Sequence, residues 1–204
     1  YDYHTWNEQN INILNIPTNI KKKYFYYLDK NLQDKNYRLP ISFYDLIAIN
    51  QKLTVITHSM KSDDILNSGV SVINELVDHR IILDIGCNSG HLTSFYAQIF
   101  KNSKVIGLDK SKKAILIANK FFKKNKYKNL KFFHNYKFLK DTNFDFICDT
   151  QCLFSLNQKD LLNLLDIFKL RLLSKGKIIS ISNIPEHISA NQYIKLFKKK
   201  NFFI

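Results

Sequence analysis

The residues best suited to chemistry follow a long apolar run that begins at Ile81. The run continues into LDIGCNSG (residues 83–90), in which two glycines are separated by three residues. Gly86 and Gly90 carry no Cβ atom, so they allow a tight turn and a close backbone approach to a ligand. A helix is expected to begin near Gly90, and its free backbone N–H groups would face the same ligand. The pattern predicts a nucleotide-binding loop.

A second acidic residue, Asp109, ends the next apolar run, in Gly107-Leu108-Asp109. In dinucleotide-binding folds, a carboxylate at this place accepts hydrogen bonds from ribose hydroxyls. The glycine spacing, with Asp84 two residues before the first glycine, differs from G-x-G-x-x-G and from the G-x-x-x-x-G-K-[ST] phosphate loop. The loop and Asp109 therefore indicate a nucleotide site that is neither of those two types.

Strictly alternating strands and helices position these residues. Apolar strands are predicted at 80–85, 104–108, 130–134, 144–149 and 177–182, and helices at 90–100, 111–124, 159–173 and 189–199. Strands that are apolar throughout are buried on both faces, and intervening helices imply parallel crossovers. The predicted fold is α/β, a doubly wound, mainly parallel, Rossmann-like sheet. Residues 201–204 resemble the start of a further strand, so the C-terminal strands are expected to be truncated.

A helical extension is predicted before this domain, at residues 1–61, and the domain itself at 62–204. Helices are expected at 21–35, 41–56 and 62–77. Residues 21–27 interleave lysines with aromatic residues, which suits a lid or a surface that stacks nucleic-acid bases. The preferred alternative is an amphipathic helix that packs its aromatic residues on the sheet domain and leaves its lysines in solvent.

The order and spacing of the motifs resemble class I, S-adenosylmethionine-dependent methyltransferases. LDIGCNSG (83–90) is similar to the first motif of that family, and VIGLDKS (105–111) is similar to the second. Residues 144–156 and 172–182 resemble its fourth strand with its exit and its fifth strand with the preceding turn. The resemblance runs from about residue 62 to the end of the chain. It implies S-adenosyl-L-methionine as the cofactor and transfer of a methyl group.

The resemblance also implies which residues hold the cofactor. Asp84 and the backbone of the glycine loop would hold the methionine part, Asp109 the ribose, and Lys110 would lie beside the adenine. Asn135 would accept a hydrogen bond from the adenine amino group. Asn88 replaces the commonest middle glycine of the motif, and asparagine tolerates unusual backbone angles. The full expected set is Asp84, Gly86, Cys87, Asn88, Gly90, Asp109, Lys110 and Asn135.

The methyl acceptor is expected beyond the fourth strand. Methyl transfer from a sulfonium is an in-line displacement, in which the protein positions the nucleophile and, where needed, removes its proton. Asp149 and Thr150 are the best placed polar residues and are the predicted catalytic pair. The alternative is that Asp149 caps the next turn. Cys152 is expected to be a buried apolar residue rather than a nucleophile.

RNA is one of three acceptor classes left open, beside small molecules and proteins. The net charge of +14 suits a polyanion, and residues 86–93 resemble, locally, the methylphosphate-capping RNA methyltransferases. The acceptor motif of those enzymes is not found after the fourth strand. Of 31 basic residues only three are arginine, so 28 are lysine, a bias typical of AT-rich genomes. The charge therefore does not by itself predict RNA binding.

The alternative to an enzyme is a catalytically inert methyltransferase-like domain that serves as a scaffold or binding module. The sequence contains no apolar run long enough to span a bilayer, and residues 1–12 lack the apolar centre of a secretory signal. Its three cysteines have neither disulfide nor zinc-site spacing, so no metal is expected. These features favour a reducing, cytoplasmic location.

Overall fold

The fold is a three-layer α/β/α arrangement preceded by two helices. The computed structural model describes residues 15–34, 38–50, 52–53, 62–78, 80–123, 126–181 and 189–202. Its helices before the sheet are α1 (Thr18–Gln33), α2 (Ile41–Ile49) and α3 (Ser62–Glu75). The predicted helical extension is therefore present, although the helix predicted at 41–56 ends at Ile49, and residues 51 and 54–56 lie outside the described residues.

Five parallel strands form one sheet in the order β3-β2-β1-β4-β5. The predicted doubly wound fold is confirmed, because the chain moves outward from the central strand β1 in one direction and then in the other. The strands are β1 (Ile81–Ile85), β2 (Lys104–Leu108), β3 (Leu130–Phe133), β4 (Phe144–Thr150) and β5 (Leu172–Ile181).

Helices connect the strands and cover both faces of the sheet. Three of these helices have an N-cap residue whose side chain accepts a backbone N–H of the first turn: Ser111, Asn157 and Ser189. Such caps satisfy donors that the first helical turn leaves free. The helices between strands are α4 (His91–Ile99), α5 (Lys112–Phe121) and α6 (Gln158–Arg171), and α7 (Ala190–Lys199) follows β5. Short 3-10 helices lie at Tyr136–Asp141 and Leu153–Ser155.

Two apolar layers lie on opposite faces of the sheet, because successive residues of a strand point to opposite sides. Ile82 of β1 joins the layer under α3, α4 and α5, whereas its neighbour Leu83 joins the layer under α6 and α7. A third cluster joins α1 to α2. There Tyr24 is fully buried, with its ring stacked 5.6 Å from that of Phe43. The aromatic residues of α1 thus pack on α2. The prediction that they pack on the sheet domain is wrong.

The start of β5 differs from the prediction. The helix expected to end at residue 173 ends at Arg171, and β5 begins at once with Leu172 instead of near residue 177. Phe144 of β4 pairs with Leu172 and Phe146 pairs with Lys177, so an irregular stretch of β5 accommodates the extra residues. Asn201 and Phe202 are not in a strand, and residues 203–204 lie outside the described residues. The expected truncation stays a prediction.

The layer under α6 should contribute strongly to stability. Phe168 is fully buried there, whereas Leu170 on the same helix is 76% exposed. We expect Phe168→Ala to lower the free energy of unfolding by about 3–5 kcal/mol, because it leaves a cavity. Leu170→Ala, the matched control, should change it by less than about 0.5 kcal/mol. Denaturant titrations measure both values, and similar losses in the two variants would contradict this account of the core.

Candidate active site

The candidate site lies at the carboxyl ends of the central strands, where the strand order reverses between β1 and β4. Open α/β sheets bind their ligands at this switch point. The glycine loop 86–90 follows β1, Asp109 follows β2, and the turn 151–155 follows β4. Because these strands are adjacent in the sheet, the structure brings together the three segments that the sequence predicted.

The glycine loop turns through three residues with left-handed backbone angles. The φ angles are 73° at Gly86, 49° at Asn88 and 82° at Gly90. Asn88 therefore adopts the unusual backbone that the motif requires, and asparagine is among the non-glycine residues that do so most readily. Backbone N–H groups of Gly86 and Cys87 both donate to the carbonyl oxygen of Leu108, at 2.7 and 3.2 Å. These bonds tie the loop to the end of β2.

Both glycines are required by the protein's own packing. A Cβ atom on Gly86 would lie 2.4 Å from the Sγ atom of Cys152, and one on Gly90 would lie 2.5 Å from the ring of Phe132. Each position also has a positive φ angle, which side chains disfavour. The sequence pattern located these glycines. The side chains that leave no room for a Cβ atom at them come from β3 and from the turn after β4.

Asp109 joins the glycine loop to the start of α5. One carboxylate oxygen accepts the backbone N–H of Asn88 at 2.9 Å, and the other accepts the N–H of Ser111 at 2.8 Å. Burial raises the pKa of Asp109, while these two hydrogen bonds oppose the rise. A carboxylate has about four lone-pair sites. Two therefore stay available for further donors such as a pair of ribose hydroxyls.

Asp84 is a buried carboxyl group inside the sheet. The hydroxyl of Thr93 donates to its Oδ2 atom at 2.5 Å. Burial raises the pKa of Asp84 from 3.8 to about 7, the Thr93 hydrogen bond lowers it, and the nearby Asp149 and Asp109 raise it further. A cation bound next to Asp84 would favour the ionised carboxylate, because opposite charges stabilise each other strongly where water is excluded.

The other residues expected to hold the cofactor differ in placement. The Oδ1 atom of Asn88 is buried and has no hydrogen-bond partner in the part of the chain that the structure describes, so it fits an incoming donor. Lys110 is exposed, with its Nζ atom 5.8 Å from the ring centre of Tyr136. Asn135 is exposed, and its side chain accepts the N–H of Lys137 at 2.8 Å. The side chain of Cys87 packs in the core, which leaves only its backbone for a ligand.

Asp149 lies at the exit of β4 with both carboxylate oxygens engaged. Its Oδ1 atom accepts the backbone N–H groups of Cys152 and Leu153, each at 2.9 Å, and its Oδ2 atom accepts the Ser180 hydroxyl at 2.6 Å. This arrangement favours the alternative in which Asp149 caps the following turn. The Oγ1 atom of Thr150, at the end of β4, is buried and has no hydrogen-bond partner among the residues that the structure describes.

Cys152 covers Gly86 but is poorly suited to act as a nucleophile. Burial raises the pKa of its thiol well above the usual value, and the carboxylates of Asp149, Asp109 and Asp84 raise it further. The thiol is thus protonated at neutral pH, and the thiolate is the reactive form. A protonated thiol agrees with the expectation that Cys152 is not a nucleophile, although the residue is half-buried rather than buried.

Three polar side chains near the site were not predicted: Tyr44, Tyr136 and Ser155. Burial raises the pKa of Tyr44 to about 12, Cys152 and Asp109 add to the rise, and a hydrogen bond with Ser155 opposes it. Burial and the same two residues also raise the pKa of Tyr136. Tyr44 lies on α2, far from the motifs in the chain, so no sequence spacing pointed to it.

A sequence model of the methyltransferase-domain family matches residues 76–203, more than half of the chain. The chain therefore belongs to this family of methyltransferase domains. No curated protein sequence matches the chain. The local likeness to RNA-capping methyltransferases gains no support from the family match and stays a prediction.

Solved structures of other proteins share the fold. A candidate O-methyltransferase from Nostoc punctiforme superposes with a TM-score of 0.66 at 14% identity, covering 96% of this chain and 66% of that protein. A TehB-like SAM-dependent methyltransferase from Corynebacterium glutamicum gives 0.59 at 15% identity, covering 75% of this chain and 82% of that one. A SAM-dependent methyltransferase from Aquifex aeolicus gives 0.51 at 17% identity, covering 65% and 78%.

The described ranges contain neither a candidate metal site nor a candidate membrane-spanning helix. Among the residues that the structure describes, no three histidine, cysteine or acidic side chains are grouped so that they could hold a metal ion. None of the described helices is both long enough and apolar enough to cross a bilayer.

Asp84 should give the protein a distinctive pH dependence. Folding raises its pKa from 3.8 to about 7, so the stabilisation associated with the protonated carboxyl is present below about pH 4 and is lost as the pH rises through 7. Asp84→Asn has no charge to lose. We therefore expect the free energy of unfolding of the parent, relative to this variant, to fall across that range in denaturant titrations. Asp141→Asn, at an exposed carboxylate, is the control. Parallel curves for the parent and Asp84→Asn would contradict the assignment.

Proposed function

We propose that the protein transfers a methyl group from S-adenosyl-L-methionine to an acceptor at the exit of β4. The observation that carries this proposal is the set of unsatisfied acceptor sites around the glycine loop. Asp109 keeps two lone-pair sites beyond its backbone bonds, and the Oδ1 atom of Asn88 is buried without a partner in the described structure. Membership of the methyltransferase-domain family gives these acceptors a cofactor that suits them.

Each residue of the site would then have one task. Asp109 would accept the ribose hydroxyls, and Asp84 would favour the positively charged methionine part. When bound, S-adenosyl-L-methionine supplies an electrophilic methyl group on a sulfonium. Asp84 and Asp149 are buried and Asp109 is half-buried. Beyond the effect of burial, Asp149 and Asp109 raise the pKa of Asp84, and all three carboxylates raise the pKa of Cys152, so the site would favour a cation. Contact of Lys110 and Asn135 with the adenine stays a proposal. It requires that their exposed side chains approach the adenine ring.

We assign Asp149 chiefly to holding the turn 151–155, on which the acceptor would lie. Its carboxylate bonds to two backbone N–H groups and to Ser180, which fixes the turn relative to β5. Direct proton transfer by Asp149 or Thr150 stays a proposal. It requires that Asp149 exchange one of these bonds for a bond to the acceptor.

The protein is proposed to act in the cytoplasm, with residues 1–61 as a helical cover and 62–204 as the catalytic domain. The location is supported by Cys87, Cys148 and Cys152, which are free thiols. The division is supported by the third apolar cluster, which unites α1 and α2 apart from the two layers of the sheet.

RNA is a second candidate partner because of a basic cleft away from the site. A cavity of about 330 Å³ lies at the amino ends of β2 and β3. It is lined by Lys101, Lys104, Lys128 and Lys131, together with Asn102, Ser103 and Asn129. The cleft is at the edge of the sheet opposite the glycine loop, so an RNA bound there would be docked rather than presented for methylation.

Calorimetry with S-adenosyl-L-methionine tests the proposed cofactor. We expect Asp109→Ala to weaken binding by more than tenfold, since each hydrogen bond to a charged group contributes about 1.5–3 kcal/mol. Asp166→Ala removes an exposed carboxylate on α6 and should bind as the parent does. If Asp109→Ala binds equally well, the site assignment is wrong. A parent protein that fails to bind at millimolar cofactor would instead support the inert scaffold domain.

The RNA proposal predicts binding that weakens steeply with salt. For single strands, the slope of log K against log salt is about −0.7 per phosphate neutralised, so replacing four lysines should reduce its magnitude by about 3. Fluorescence anisotropy with a short RNA at several salt concentrations measures the slope. The test variant carries alanine at Lys101, Lys104, Lys128 and Lys131, and its control carries alanine at the exposed Lys159, Lys195, Lys198 and Lys199. Equal slopes in the two variants would exclude the cleft as the RNA site.

A further inference from the structure

Two neighbouring residues of α2 contact segments on opposite sides of the site. The hydroxyl of Ser111 donates to the Oδ1 atom of Asp45 at 2.5 Å. The side chain of Tyr44, the next residue toward the N-terminus, lies beside Ser155. Ser111 follows β2 and Ser155 follows β4, and these are the two strands that flank β1. The helix α2 therefore bridges the two exits between which the glycine loop lies.

The contact of Asp45 leads directly to the glycine loop. Ser111 accepts the backbone N–H of Ala114 at 3.0 Å as the cap of α5, and its own N–H donates to Asp109 at 2.8 Å. Asp109 in turn accepts the N–H of Asn88. The position of α2 and the orientation of the Asp109 carboxylate are thus linked through one serine. The Nζ atom of Lys113 adds an exposed ion pair to Asp45 at 3.5 Å.

The side chain of Tyr44 lies near charged or polar groups of two segments of the site, the turn after β4 and the end of β2. Its pKa responds to Cys152, which covers Gly86, and to Asp109 after β2. The ring is partly buried and packs against the cluster that joins α1 to α2. Its centroid lies 5.6 Å from that of Phe43. Ser155, beside which Tyr44 lies, donates its own hydroxyl to the carbonyl oxygen of Cys152 at 2.7 Å.

We propose that α2 closes the cofactor site, with Tyr44 as a positioning residue and the Asp45–Ser111 hydrogen bond as the contact that holds the helix in place. The proposal rests on the proposed function, because it takes S-adenosyl-L-methionine as the ligand of the site. Tyr44 contacts the turn that receives the acceptor, and Asp45 contacts the segment that holds the ribose. Closure by α2 would exclude water from the reacting groups and fix the two halves of the site relative to each other.

Binding of the product S-adenosylhomocysteine, measured by calorimetry, tests this proposal without a known acceptor. We expect Tyr44→Ala and Asp45→Ala each to raise the dissociation constant about tenfold, and Tyr44→Phe, which loses only the hydroxyl, about threefold. Two controls change the same surface but keep the Tyr44 side chain and the hydrogen bond between Asp45 and Ser111. Ile41→Ala alters an exposed residue of α2, and Lys113→Ala removes only the ion pair, whose exposed lysine should contribute little. Both should bind as the parent does.

Amide hydrogen exchange of the parent protein provides a second readout that needs no variant. S-adenosylhomocysteine should slow exchange across Ile41–Ile49, and Asp45→Ala should lose most of this protection. If the parent binds the product but α2 shows no protection and the Tyr44 variants bind normally, closure by α2 is wrong while the proposed function stands. If the parent does not bind at all, the proposed function fails and the closure fails with it.

Discussion

The hydrogen bonds of Asp109 are the constraint on which the site depends. One carboxylate bonds to the backbone of the glycine loop and to the backbone at the start of α5, so it fixes two segments that are separated by a whole strand and helix. The geometry of the loop is therefore determined by the end of β2 as much as by its own glycines. Through Ser111, the same carboxylate is linked to Asp45 of α2.

Negative charge is concentrated where the reaction is proposed to occur. Asp84, Asp109 and Asp149 end or precede the turns after three adjacent strands, and none of the three is an exposed side chain. Burying several carboxylates is costly in the free protein, as the raised pKa of Asp84 shows. A cationic ligand offsets that cost. A positively charged cofactor at the proposed site would therefore be favoured over neutral competitors.

The sequence predicted the parts of the site that depend on local chemistry. The alternation of apolar strands and helices gave the sheet, and the glycine spacing with Asp84 and Asp109 located the loop, because both features are encoded within a few residues. The neighbours of those residues depend on tertiary packing. Tyr44 reaches the turn after β4 only because α2 packs along α5, and no spacing in the chain encodes that contact. The start of β5 was also misplaced, since an irregular strand has no clear alternation.

The contact between Gly86 and Cys152 has a consequence for how this family can diversify. A Cβ atom at position 86 would lie 2.4 Å from both the Cβ and the Sγ atom of Cys152, and the positive φ angle disfavours a side chain there whatever residue stands in the turn after β4. A chimera of two homologues that is joined between β1 and β4 would combine the glycine loop of one protein with the turn after β4 of the other. Related sequences are therefore expected to keep glycine at position 86, and transplanting a new acceptor turn should succeed only when its residue at position 152 packs against that glycine.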